Sequence, residues 1–75
     1  MVAYIIVETE TGKDKGVLAE VGFSLPGCKA FPEIIVRGEV VAALHCDDLD
    51  ALNESVMEIA KKDGVKQITT YVKTA

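Results

Sequence analysis

The residues with the most chemical potential stand together at one point of the chain. His45-Cys46-Asp47-Asp48 offers an imidazole, a thiol and two carboxylates in consecutive positions. All are metal-ligand types, but their spacing matches no recognised ligand pattern. An extended backbone also sends His45 and Cys46 to opposite sides. The two aspartates instead suit the start of a helix, where free N–H groups and the positive dipole end favour carboxylates. His45 is the single histidine of the chain. No serine or cysteine is placed to form a nucleophilic pair with it. Thr11-Gly12-Lys13 lacks the leading glycine and the length of a phosphate-binding loop. Glu54 and Glu58 are spaced to share a solvated helix face. These residues imply no metal, no cofactor and no catalytic group.

Cys28 and Cys46 flank a candidate hairpin. A three-residue loop pairing Ile35 with Glu39 sets the two cysteines opposite each other. A bulge at Pro32 breaks that register. A reducing cytoplasm argues against a bridge, so two free thiols are expected.

The elements that position these groups follow from residue periodicity. Val2 to Val7 is β-branched and aromatic, and predicts a strand. Both of its faces are apolar, as in a strand covered on two sides. Glu8 to Gly12 reads as a polar loop. Lys13 to Leu25 reads as a helix, with Val17, Leu18, Val21 and Leu25 on one face and Pro26-Gly27 as the stop. Cys28 to Val36 is a second strand; Pro32 puts it at a sheet edge or on a bulge. Arg37-Gly38 is a turn, and Glu39 to Cys46 a third strand, again apolar on both faces. Asp47-Asp48 caps a second helix with Leu49, Leu52, Val56, Ile59 and Ala60 inward, ending at Lys61-Lys62 and Gly64. Val65 to Lys73 is the last strand.

The order β-α-β-β-α-β predicts an α+β, ferredoxin-like fold. It has a four-stranded antiparallel sheet, both helices on one face, central first and third strands, and edge second and fourth strands. The 75 residues make one domain. Nearly half of them, 49%, are hydrophobic, and only Tyr4, Phe23, Phe31 and Tyr71 are aromatic. The net charge of −4, with no basic stripe, argues against direct nucleic-acid binding. No apolar run has the length of a membrane span. The apolar start lacks the basic region and cleavage site of a signal peptide. A cytoplasmic chain with no membrane partner is therefore expected.

Two helices cover one face of such a sheet. The central strands are apolar on the other face too, so that face is built for a cover and not for water. A second copy of the chain is the simplest cover, giving a dimeric α/β barrel.

The chain resembles the RAM domain, the C-terminal effector-binding half of the Lrp/AsnC transcription regulators. The matching features are Glu8-Thr9-Glu10-Thr11-Gly12-Lys13, Leu25-Pro26-Gly27, Gly38-Glu39, Asp48-Leu49-Asp50-Ala51-Leu52-Asn53, and Asp63-Gly64-Val65 before a strand holding Thr70. The resemblance implies a homodimer or a ring of dimers. It implies an amino-acid effector in the cleft between dimers, and a role in transcription regulation or amino-acid sensing. The family's helix-turn-helix domain has no counterpart in these 75 residues, so a full-length Lrp/AsnC-type regulator becomes a candidate partner. Its ligand site maps to Arg37, Gly38, Glu39, Val41 and Thr70. Arg37 is the group suited to a carboxylate. The family carries a carboxylate where this chain has Val41. Either Glu39 substitutes for it, the ligand is not an ordinary α-amino acid, or the site is inactive.

Two alternatives compete with the binding module. One is a small barrel enzyme of the monooxygenase type, with His45 as its acid/base. The other is a structural subunit of a full-length regulator. An ACT-type amino-acid-binding domain shares the element order.

Overall fold

The computed structural model describes residues 1–21, 25–36 and 38–73. Six elements appear in the expected order: β1 (Val2–Thr9), α1 (Asp14–Val21), β2 (Cys28–Val36), β3 (Glu39–Cys46), α2 (Leu49–Ala60) and β4 (Val65–Val72). The sheet order is β2-β3-β1-β4 with every pairing antiparallel, which is the ferredoxin-like arrangement. The two doubly apolar strands, β1 and β3, are central.

The core lies between the helices and one sheet face. Ala3, Ile5 and Val7 of β1 alternate into it, as do Val40, Ala42, Leu44 and Cys46 of β3. Val17 of α1 and Leu52 and Ile59 of α2 close over them. Aliphatic side chains fill this layer, as the composition requires.

Asp48 starts α2. Its carboxylate accepts a hydrogen bond from the Ala51 N–H at 2.8 Å. Replacement by alanine (Asp48→Ala) removes that acceptor and is expected to cost about 1 kcal/mol in a urea titration. At the other end Lys61 caps the helix, and the chain turns through Gly64 at φ +90°. A Cβ on Gly64 would stand 2.5 Å from the Lys13 Cβ. Gly64→Ala is therefore expected to lose about 1–2 kcal/mol by the same measurement, from the left-handed backbone plus displacement of Lys13. Lys13 also pairs with Asp63 at 3.0 Å. The Asp63 carboxylate raises the Lys13 amine above its ordinary value of 10.5. The sign of the shift makes any stabilisation complete below that value and lost only as pH rises past it, so it is constant across the neutral range.

Local expectations on β1, α1, α2 and the hairpin need correction; on α2, Leu49 and Ala60, expected inward, are exposed. β1 runs on to Thr9, into the segment read as polar loop, because Glu8 pairs with both Glu39 and Gln67. The described helix α1 ends at Val21. Leu25 is not on a helix but bridges Cys28 around the Pro26-Gly27 turn, and still packs on the core. The Leu18 and Val21 side chains, expected on the inner helix face, lie outside the described residues.

The hairpin also departs from expectation. Val36 pairs with Glu39, so the connection is the two residues Arg37-Gly38 and not three. A register shift between Pro32 and Ile34 then adds one residue to β2. The short loop and the bulge offset each other, and Cys28 still faces Cys46. The bulge restores the register it was expected to break. The two cysteines are joined as a disulfide, with Cα atoms 4.1 Å apart, so the expectation of free thiols is overturned. Pro32, which has no N–H to donate, is tolerated because β2 is an edge strand.

Candidate functional site: the open face of the sheet

Strand alternation assigns the face that the helices leave open. Register partners on neighbouring strands share a face, so the strand pairings form rows across the sheet. One row crosses all four strands: Phe31 pairs with Ala43, Ala43 with Tyr4, and Tyr4 with Tyr71. Phe31, Tyr4 and Tyr71 are 49%, 39% and 57% exposed. Ala43, between the first two, is only 5% exposed although it points away from the core. The Phe31 ring meets the His45 imidazole edge-on, with centroids 4.9 Å apart and planes at 70°. The adjacent row sets Val41 beside Ile6 and Ile6 beside Thr69. Val41 and Ile6 are half-buried.

The two ends of this face differ in charge. At the hairpin end Glu39 pairs with Glu8, and Glu8 with Gln67. Two carboxylates directly across from each other are unfavourable in an isolated sheet. At the opposite end Lys29 pairs with His45, and His45 with Val2. Lys29 and His45 are exposed. The face is thus an apolar, aromatic band with an acidic margin and a basic margin.

The expected ligand residues divide between the faces. Gly38 holds φ +79°, and its carbonyl accepts from both the Thr9 N–H at 2.9 Å and the Thr9 hydroxyl. That carbonyl is committed to pinning the hairpin against β1. Glu39 and Val41 follow on β3 and belong to the open face. Thr70 pairs with Ile5, a core residue, so it faces the helices. Within one chain the structure gathers Gly38, Glu39 and Val41 and leaves Thr70 on the other side. Arg37 lies outside the described residues.

His45, the one acid/base candidate, is exposed on the open face, at the rim of a solvent-open cleft. Its neighbours in sequence are engaged elsewhere: Cys46 in the bridge and Asp48 in the helix cap. The aromatic row was not legible from sequence. Its members are far apart in the chain, and only the register aligns them. Alternation alone places Tyr4 and Tyr71 on one face or the other, but it does not place them side by side.

A second feature lies at the basic end. A cleft of about 340 Å³ opens there, lined by Leu25, Gly27, Cys28, Lys29, His45 and Asp47. The Asp47 N–H donates to the Gly27 carbonyl at 3.0 Å, and the buried Ser55 hydroxyl donates to the Pro26 carbonyl at 3.3 Å. These bonds hold the Pro26-Gly27 turn over the start of α2.

Among the described residues, no helix is long and apolar enough to cross a membrane. No family model matches the chain. No curated protein matches it either. Among solved structures, the solution structure of the E. coli Tat proofreading chaperone protein NapD is similar over 100% of this chain and 78% of that one, with a TM-score of 0.78 and 13% sequence identity. At that identity the likeness establishes the fold alone, and this chain has the ferredoxin-like α+β fold that NapD has.

Proposed function

We propose that this chain is a non-catalytic binding module that works through the open face of its sheet, first by pairing with a second copy of itself. The observation that carries this is the exposed Phe31–Tyr4–Tyr71 row between margins of opposite charge. A two-fold axis across the strands reverses their direction. It lays the end of one copy that holds Glu8 and Glu39 over the end of the other that holds Lys29 and His45. The same operation relieves the Glu8–Glu39 juxtaposition and hides the aromatic band. The resemblance to Lrp/AsnC effector domains extends the proposal. An amino acid or similar small molecule binds between such dimers, near Arg37, Gly38, Glu39 and Val41. A full-length regulator is the candidate partner, and the cytoplasm the compartment. The exposed position of His45 weighs against the barrel-enzyme alternative, since it gives no water-excluded acid/base.

A second reading has its own support. A half-exposed aromatic row on an open sheet also suits capture of a polypeptide segment. The similar structure belongs to a protein described as a Tat proofreading chaperone. Native mass spectrometry separates the two. Self-pairing gives a dimer or a ring at micromolar concentration. A single chain that gains mass only with an added peptide supports the polypeptide reading and ends the first. Thermal shift against the twenty amino acids tests the effector. Stabilisation by one chemical subset is expected, and a flat response removes the amino-acid part.

A further inference from the structure

The Cys28–Cys46 pair is not accounted for by a module that acts through its open face. Its placement is asymmetric. Cys46 is on the central strand β3, belongs to the core and is 5% exposed. Cys28 begins the edge strand β2, is half-buried, and lines the cleft. The cleft carries Lys29, His45 and Asp47 as its polar groups. Its volume of about 340 Å³ is at the low end for small-molecule sites. Cys28 thus packs against the core and also lines a pocket of small-molecule size, while Cys46 is held inside the fold.

We infer that Cys28–Cys46 is a reversible thiol–disulfide exchange site for an anionic low-molecular-weight thiol of the glutathione type, entering through this cleft and attacking at Cys28. The thiolate of the small molecule attacks the Cys28 sulfur. A mixed disulfide forms, and the Cys46 sulfur leaves as a thiolate and takes up a proton. A second small thiol attacks the sulfur of the first and releases Cys28, which is protonated in turn. Two small thiols are oxidised to one disulfide, and the protein bridge gains two electrons and two protons. The reverse reaction, driven by the small-molecule disulfide, closes the bridge. Exchange proceeds at the sulfur that an external thiolate reaches, which assigns the mixed disulfide to Cys28. Lys29 is the group in the cleft that complements the carboxylates of such a thiol, with Asp47 opposing it. The inference is independent of what covers the open face.

The probe is glutathione itself. The folded, oxidised protein is equilibrated in buffers of varied glutathione to glutathione-disulfide ratio, quenched with acid, alkylated and weighed intact. The expected result is full conversion between bridged and doubly alkylated forms without denaturant. In the Cys46→Ser variant, glutathione disulfide should modify Cys28 about tenfold faster than it modifies Cys46 in the Cys28→Ser variant, following thiol access. Should a variant fail to fold, brief partial reduction of the natural chain serves instead. Peptide mapping should then find the trapped glutathione on Cys28. A bridge that resists glutathione until the protein is denatured overturns the proposal. So does an adduct that falls equally on both sulfurs.

Discussion

Reducing the Cys28–Cys46 bridge lowers the melting temperature by roughly 12–24 °C. The bridge joins residues 18 apart in sequence. Closing a loop of that size in the unfolded chain is worth about 3 kcal/mol on the chain-entropy account. For a domain this short, each kcal/mol moves the midpoint by about 4–8 °C. The total stability of 75 residues is on the order of 4–11 kcal/mol, so the bridge supplies a large share. Structural context adds to the expectation. The bridge pins the bulged edge strand at the end far from its two-residue turn. It also anchors the Pro26-Gly27 segment, otherwise held by the Asp47 and Ser55 hydrogen bonds. The check is a pair of circular-dichroism melts with and without a phosphine reductant. The Cys28→Ala/Cys46→Ala double variant serves as a reductant-independent control. A shift below about 3 °C in both would mean that strand pairing alone sets the register and that the bridge adds little.

Placing a lysine at Tyr4 dissolves the assembly without unfolding the subunit. Tyr4 is at the middle of the aromatic row on central strand β1, and its side chain points away from the core. Tyr4→Lys therefore leaves Ala3, Ile5 and Val7 packed as they are. In a face-to-face pair, however, two ammonium groups would be buried against Ala43, Tyr71 and the facing sheet with no carboxylate in the row. Losing an aromatic at the centre of an interface commonly costs 2 kcal/mol or more. A dissociation constant about 100-fold higher is expected, equivalent to about 2.7 kcal/mol. Light scattering over a dilution series would read this as a move from dimer mass to single-chain mass, with the circular-dichroism spectrum unchanged. Met57→Lys on α2 is the control. Met57 is 61% exposed on the helix side and takes no part in the sheet face, so its mass should stay that of the parent. Equal behaviour of the two variants would remove the open face from the account of assembly. If the parent is a single chain from the start, Tyr4→Lys instead tests the polypeptide reading, through loss of peptide binding.

The basic and acidic margins make a related distinction. Apolar packing favours any face-to-face arrangement, but only reversal of strand direction opposes Glu8 and Glu39 to Lys29 and His45. Charge thus selects orientation here, while the aromatic row supplies the area.

The sequence alone determined the architecture. Six elements in β-α-β-β-α-β order, two strands apolar on both faces, and a proline confined to an edge admit few chain paths. The spans of β3 and α2 were legible nearly to the residue, because Val40 to Leu44 is an unbroken apolar run after Glu39 and Asp48 is an unambiguous cap. What depended on register was not legible. Whether Cys28 meets Cys46 turns on loop length and bulge together. A miscount in either shifts the partner by one residue and reverses every side chain, so two errors had to cancel for the pairing to be anticipated. The same dependence hid the Phe31–Ala43–Tyr4–Tyr71 row, whose members span the chain from residue 4 to residue 71. It also separated Thr70 from Glu39 and Val41, which a linear motif had grouped. Local periodicity is a property of consecutive residues and survives in the sequence. Adjacency across a sheet arises from hydrogen-bond register between distant segments, and only the folded chain decides it.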